Sequence, residues 1–486
     1  MQDKPNIILI MTDQQRFDTI AALGASWMNT PRLDRLVRAG VAFSNCFVTS
    51  PVCVAARASL FTGMYPHSTG VFSNFRPWRP SWVQWLATAG YHCVSIGKMH
   101  INPYDELGGF HQRFVVENKD RPLFLEEADR AFFDEWDKAL MSRGLIKPSR
   151  YNRFEDDPDH YQEALGCFTW TLDENMHPDV FVGDTAKWWI ASRKSEAPLF
   201  LQIGFPGPHP PYDPIKRYLD QYAETDIPVP LISTEHRGQP SAQAKLRQNM
   251  IDFNFDSVAW REDITPDDLL RLRKHYAANV TMIDEKVGDI LDGLEERGYL
   301  ENAVVIFASD HGDALGDHGH VQKWTMYEGV TRVPLIISGR NIPINLSTDD
   351  LVQLMDVAPT ILDYAGVKVP ANWEAKSLKP ILERSQNGRE VVYAELGRDH
   401  IQNASEYIVM RRDKRWKLVW YLGEDEGELY DLENDAGEEN NLWESEQYRT
   451  LRDRLISETK DWSIRGMLNA KEEVLRKPQA PMAIKK

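Results

Sequence analysis

Short apolar runs rich in β-branched residues, each bounded by turn residues, alternate with longer amphipathic stretches along this 486-residue chain. Asn6 to Met11, His92 to Ile96, Leu199 to Phe205, Val304 to Ala308 and Val333 to Ser338 are apolar nearly throughout, which predicts core strands buried on both faces. Pro31 to Ala39, the residues after Cys53, Trp82 to Ala89, Asp267 to Arg297 and Leu351 to Ala365 carry helical spacing. This alternation predicts an α/β fold: a large, mostly parallel or mixed sheet sandwiched by helices.

Two stretches break the alternation. Pro103 to Pro178 is crowded with charged and aromatic residues and reads as an insertion capping a site, and Leu231 to Trp260 reads as a polar surface excursion. From about Val391 the period changes to two, in VVYAEL, EYIVMRR, RWKLVWYL and GELYDL, and a helical pattern follows over Glu446 to Ile464. The expected organisation is one α/β domain over 1–385, with insertions at about 103–178 and 231–260. A smaller C-terminal α+β subdomain over 386–486 carries an antiparallel sheet, a helix and a tail.

Composition narrows the partners. Lys and Arg total 56 against 73 Asp and Glu, a formal net charge of −17 that disfavours nucleic acid or an anionic membrane as partner. Cys46, Cys53, Cys93 and Cys167 form no C-x-x-C pair, so neither a disulfide framework nor a zinc site is expected, and a reducing compartment is. The run Ile7 to Met11 is too short for a signal-peptide core, and no stretch approaches a membrane span. A cytoplasmic location is the expectation; a secreted or periplasmic chain trimmed of its leader reads the same way.

Ligands of open α/β sheets collect beyond the carboxyl ends of the strands, and this chain puts its unusual polar residues there. Thr12-Asp13-Gln14-Gln15 follows the first strand, and Ser309-Asp310-His311-Gly312-Asp313 follows the run Val304 to Ala308. A lone carboxylate after a strand usually caps a turn, but two pairs at two strand ends are better explained by a divalent cation. Asp13, Gln14, Asp310 and His311 offer an oxygen-rich set that suits calcium or another hard ion over zinc. Lys98 and His100 in GKMH, His209 in PGPHPPY and Lys323 in GHVQKW add cations after other strands, which predicts a site for a tetrahedral oxyanion. Cys53 enters a helix with Arg57 one turn on, a setting that lowers a thiol pKa or holds an anion.

The stretch from Cys53 to Gly63 resembles the signature of type I sulfatases in the alkaline phosphatase superfamily, C-x-P-S-R followed by A-S-L-x-T-G, whose cysteine is oxidised to formylglycine. Arg57 to Gly63 agree throughout. The resemblance extends to PNIILIMTDQQR, GKMH, PHPPY, SDHGDALGDHG and the C-terminal WKLVWYL and GELYDLENDAGEENNL. It implies an alkaline phosphatase-like fold, sulfuric ester hydrolase activity and formylglycine at position 53. It also implies one divalent cation, calcium first with magnesium or manganese as alternatives. Asp13, Gln14, Asp310 and His311 would ligate the cation together with modified Cys53, and Arg57 would stabilise the modified residue. Lys98, His100, His209 and Lys323 match positions that contact sulfate, the nucleophile or the leaving group.

The implied mechanism uses a hydrated aldehyde. One hydroxyl attacks sulfur, His209 or Lys323 protonates the departing alkoxide, and His100 takes the proton of the other hydroxyl so that sulfate leaves and the aldehyde returns. Three positions depart from the common pattern: Ala55 replaces Pro, Ala56 replaces Ser, and Gln14 stands where many relatives carry Asp. The expected maturation partner is therefore a formylglycine-generating enzyme or an anaerobic radical maturase. The expected substrate is a sulfated sugar or another sulfated small molecule. Phosphonate monoester or phosphodiester hydrolysis is the alternative within the superfamily, and a non-catalytic binding protein is the alternative outside it. Trp136, Trp170 and Trp324 are either pocket walls or packing residues.

Overall fold

The strand β1, Asn6–Asp13, sits near the middle of the main sheet and needs apolar residues on both faces. Its period of two sends Ile7, Leu9 and Met11 into one helical layer and Ile8 and Ile10 into the other. The computed structural model describes residues 4–74, 76–78, 82–119, 132–193, 196–229 and 238–468. Within them the remaining strands of this sheet are β2 (Gly40–Phe47), β3 (His92–Gly97), β4 (Gln112–Val115), β5 (Leu199–Pro208), β6 (Ala303–Ser309), β7 (Arg332–Val333), β8 (Leu335–Gly339) and β9 (Leu346–Gln353). Their order is β4-β3-β5-β1-β6-β8-β2-β7, with β9 beside β2.

β4, β3, β5, β1 and β6 run parallel, so their carboxyl ends share one edge. Helix α1 (Pro31–Ala39) covers one face, α2 (Cys53–Thr62) the other. α3 (Pro178–Ser192) and α4 (Pro266–Glu296) share the face of α1, and α5 (Val357–Ala365) packs beside α2. α4 starts one residue ahead of the expected Asp267. Pro266 fills the first position, and Thr265 Oγ1 accepts from the Asp268 amide while Asp268 Oδ2 accepts from the Thr265 amide. The second sheet is an antiparallel meander of β10 (Val392–Gly397), β11 (Tyr407–Arg412), β12 (Trp416–Tyr421) and β13 (Gly427–Asp431), backed by α6 (Arg449–Met467) through Leu418, Leu429 and Leu455.

The architecture is the expected α/β class with a separate antiparallel sheet, and several elements differ from the periodicity reading. Val333 to Ser338 is divided at Pro334, which lacks a ladder donor, and both pieces run antiparallel to β2. Leu351 to Gln353 belongs to β9, and the helix begins only at Val357. β2 and β9 carry Ser, Asn, Thr and Asp among their apolar residues, which hid them from a search for continuous apolar runs. Gln112–Val115, inside the charged 103–178 segment, is the edge strand β4. The excursion near 231–260 contains a helix, Ser241–Asp252, anchored by Gln243 Nε2 on Tyr421 Oη and Glu428 Oε1.

Candidate active site

Four strand ends deliver the site. Thr12 pairs with Ser309 and Asp13 with Pro208, so Asp13, His209 and Asp310 emerge from adjacent strands, while Lys98 follows β3 one strand further. Gly204 permits the last placement, because a Cβ there would fall on the Lys98 carbonyl oxygen. Cys53 opens α2, whose residues 53 to 61 are all buried and whose end at Gly63 adopts a left-handed φ of 71°.

Cys53 Sγ, the carboxylates of Asp13 and Asp310 and a ring nitrogen of His311 offer ligand atoms that all lie within 4.8 Å of one another. His311 Nδ1 meets the Gly312 carbonyl at 2.9 Å, which leaves Nε2 facing Cys53 Sγ at 3.0 Å. The Gln14 amide is oriented in the same way: Nε2 donates to Asp313 Oδ2 at 2.7 Å, so Oε1 faces the cluster, 3.3 Å from Lys323 Nζ. Two carboxylates, an amide oxygen and an imidazole nitrogen directed at one point are a donor set that a hard divalent cation fits.

Cations surround these anions. Arg57, fully buried, donates to Asp310 Oδ2 at 2.7 Å and Asp13 Oδ2 at 3.3 Å, and Lys98 Nζ lies 2.7 Å from Asp13 Oδ2. Burial alone would raise the Asp13 pKa, but Lys98, His209, Arg57 and His311 together hold it well below the usual carboxylate range. His311 is lifted to about 9: burial works against its charge, but Asp310 and Cys53 outweigh it. Burial and then Lys323 push His209 down to about 3. Its Nδ1 meets the Pro210 carbonyl at 2.7 Å, so Nε2 accepts from Lys323 Nζ at 3.1 Å. Lys323 Nζ also reaches Cys53 Sγ at 3.2 Å, and Lys323 stays charged, with a pKa above its ordinary value. Burial, Lys98 and Arg57 keep His100 neutral, and its buried Nδ1 has no hydrogen-bond partner.

The catalytic and metal-site residues expected from the sequence thus enter one largely buried cluster, and others with no expected role join them. Asp313 accepts from Gln14, from Tyr212 Oη at 2.7 Å and from the Gln322 and Leu315 amides, fixing the loop that carries Lys323. Glu117 accepts from the His100 amide at 2.9 Å, and Asn118 Oδ1 from Lys98 Nζ at 3.4 Å. Asp256, from the excursion read as surface, has Oδ2 3.6 Å from His209 Nε2 and 3.9 Å from Lys323 Nζ. Trp136 is a packing residue, fully buried with Nε1 on the Met176 carbonyl, and Trp324 is buried against Phe255. Gln14, His100, Asp256, Ser257, Gln322 and Trp324 all have positive φ, each costing about 1–3 kcal/mol, a concentration of backbone strain found at functional sites.

The sulfatase family model matches residues 5–367, and a model of the N-sulphoglucosamine sulphohydrolase C-terminal region matches 316–464. The chain belongs to the sulfatase family and is a sulfatase enzyme, acting on sulfuric esters. It is 31% identical to an arylsulfatase of Clostridium perfringens over 93% of each chain. It is 25% identical to an N-acetylglucosamine-6-O-sulfatase of Bacteroides thetaiotaomicron, over 93% of this chain and 85% of that one. A phosphonate monoester hydrolase of Agrobacterium radiobacter shares the fold, with a TM-score of 0.78 and 24% identity over 95% of this chain and 96% of that one. Among the described residues no helix is long and apolar enough to cross a membrane.

Proposed function

We propose that this sulfatase cleaves sulfate monoesters through a formylglycine formed from Cys53, beside a divalent cation, calcium foremost. The observation that carries the reading is the convergence of Cys53, Asp13, Asp310 and His311 ligand atoms within 4.8 Å, with Lys323 against the Cys53 sulfur. Asp13, Gln14, Asp310, His311 and the oxidised residue 53 would hold the cation, which would supply Lewis-acid stabilisation of charge on the sulfuryl group.

The chain's own groups divide the remaining work. Arg57 balances the two buried carboxylates and keeps them apart. Lys98 offers its ammonium to the sulfuryl oxygens. Lys323 is the proton donor to the leaving oxygen rather than His209, because His209 accepts at Nε2 and is neutral above about pH 3. His100, neutral and unpartnered at Nδ1, is the base that takes the proton of the residual hydroxyl when sulfate departs.

A sulfated sugar is the favoured substrate, supported by the relative named for N-acetylglucosamine 6-O-sulfate. Maturation by a formylglycine-generating enzyme or a radical maturase is part of the proposal. So is a cytoplasmic setting, supported by the buried, unpaired thiols of Cys46, Cys93 and Cys167. Mass spectrometry of the tryptic fragment Ala39 to Arg57, from a host that carries both maturase types, tests the nucleophile: residue 53 is expected as formylglycine. Unmodified thiol there overturns the reading. A panel of sulfate, phosphate and phosphonate esters of one phenol then tests the reaction, with sulfate expected fastest and sulfate slowest contradicting it.

A further inference from the structure

We infer that Asp256 is a specificity-determining residue that selects sulfate esters bearing a hydroxyl on the carbon adjacent to the ester-bearing carbon. The inference rests on the sulfatase reading of the same site and names the chemistry of its leaving group.

Three observations carry it. The first is position. Lys323 Nζ and His209 Nε2 lie 3.1 Å apart on the side of Cys53 where the leaving oxygen must sit to receive the Lys323 proton. Asp256 Oδ2 faces both nitrogens, at 3.6 and 3.9 Å, too far for hydrogen bonds to either. An oxygen bridging the two nitrogens therefore brings a substituent on the carbon adjacent to the ester-bearing carbon up to Oδ2.

The second is acceptor capacity. Asp256 is partly exposed, at 28%, while Lys323 is sealed at 1%, so the carboxylate lines the open side of the pair. Oδ1 is spent on Arg150 Nη2 at 3.3 Å, which fixes the side chain and leaves Oδ2 turned inward with room for a donor. With Arg150 and Lys323 already opposing its charge, a neutral hydroxyl suits it better than a further cation.

The third is the backbone. Phe255 and Val258 pair across a two-residue turn whose central residues, Asp256 and Ser257, have φ of 53° and 68°. Neither is glycine, and Ser257 is fully buried, so the segment holds a strained conformation that places the Asp256 carboxylate. The Phe255 carbonyl accepts from Gln322 Nε2 at 2.9 Å, and its ring meets Trp324 at 6.2 Å, which ties the turn to the loop of Lys323.

The test uses trans-1,2-cyclohexanediol monosulfate and cyclohexyl sulfate, which differ by one hydroxyl, with the enzyme matured at residue 53. The parent should prefer the diol ester in kcat/KM by about tenfold or more, the scale of a hydrogen bond to a charged acceptor. Asp256→Ala should reduce that ratio at least about fivefold, and Asp256→Asn, which keeps an acceptor oxygen, should retain part of it. Parallel losses on both esters with the ratio unchanged would overturn the assignment and make Asp256 a positioning residue for Lys323. Preference for trans-2-aminocyclohexyl sulfate over the diol ester overturns the choice of hydroxyl. A matured preparation inert toward 4-nitrophenyl sulfate and both cyclohexyl esters alike defeats the proposed reaction at this site and this proposal together. One active on these esters but indifferent to the neighbouring hydroxyl defeats this proposal alone.

Discussion

Lys323 Nζ lies 3.2 Å from Cys53 Sγ, although 270 residues separate them, and it is bonded to His209 rather than paired with a carboxylate at close range. In the proposed reaction this puts a charged donor beside the nucleophile on the leaving-group side. General acid help matters most where the leaving oxygen is basic. Lys323→Ala should therefore lower kcat/KM about a hundredfold or more on alkyl or sugar sulfates, and much less on 4-nitrophenyl sulfate. Steady-state kinetics over a leaving-group series reads the slope; equal losses along the series would argue against a proton donor.

Arg57 is the only cation bonded to both Asp13 and Asp310 among the described residues. Its removal strands buried Asp310 and leaves Asp13 with Lys98 as its close cation, a class of change that costs about 3–5 kcal/mol. Arg57→Ala should lower the thermal midpoint of metal-free protein by several degrees. Added calcium should restore part of that loss, since the ion supplies opposing charge to the same carboxylates. A midpoint unaffected by calcium in both proteins would count against the cation site.

Cation binding should release a proton. His311 titrates near 9 in the absence of an ion and can ligate only as the neutral ring. Apparent calcium affinity of the unmatured protein is expected to rise with pH from 6.5 and level off above about 9. Competitive titration against a chelator at several pH values measures it, and a flat profile would remove His311 from the ligand set.

His67, in the short helix after α2, ties that segment to β10 of the second sheet. Its Nδ1 meets both Glu395 oxygens at 2.9 and 3.0 Å, and a Cβ on Gly466 in α6 would overlap its Nε2. Gly466→Ala should loosen α6, read as faster proteolytic cleavage within Arg449–Met467. Burial opposes the His67 charge, but Glu395 and Glu374 raise its pKa, so its stabilisation is complete below about 6.5 and fades as pH rises through the raised value. The parent's cleavage rate should accordingly increase toward alkaline pH, and His67→Gln should flatten that dependence.

By itself the sequence determined the α/β class, the separate antiparallel sheet and the polar residues at four strand ends, because each rests on local periodicity or on a motif beside a strand. β1 reads as a buried strand from the apolar run Asn6 to Met11, and α4 as a helix from the spacing over Asp267 to Arg297. Only the tertiary structure decided which carboxylates share Arg57, which nitrogen of His209 faces Lys323, and that the Lys323 ammonium lies against the Cys53 sulfur. Those are properties of burial and of distances between residues hundreds of positions apart. β2 and β9 became strands through pairing with one another, and β2 with β8 as well, although β2 carries Ser and Asn and β9 is mostly polar. Asp256 reached the site in the same way, because a strained turn and an arginine from another segment hold its carboxylate where no local pattern points.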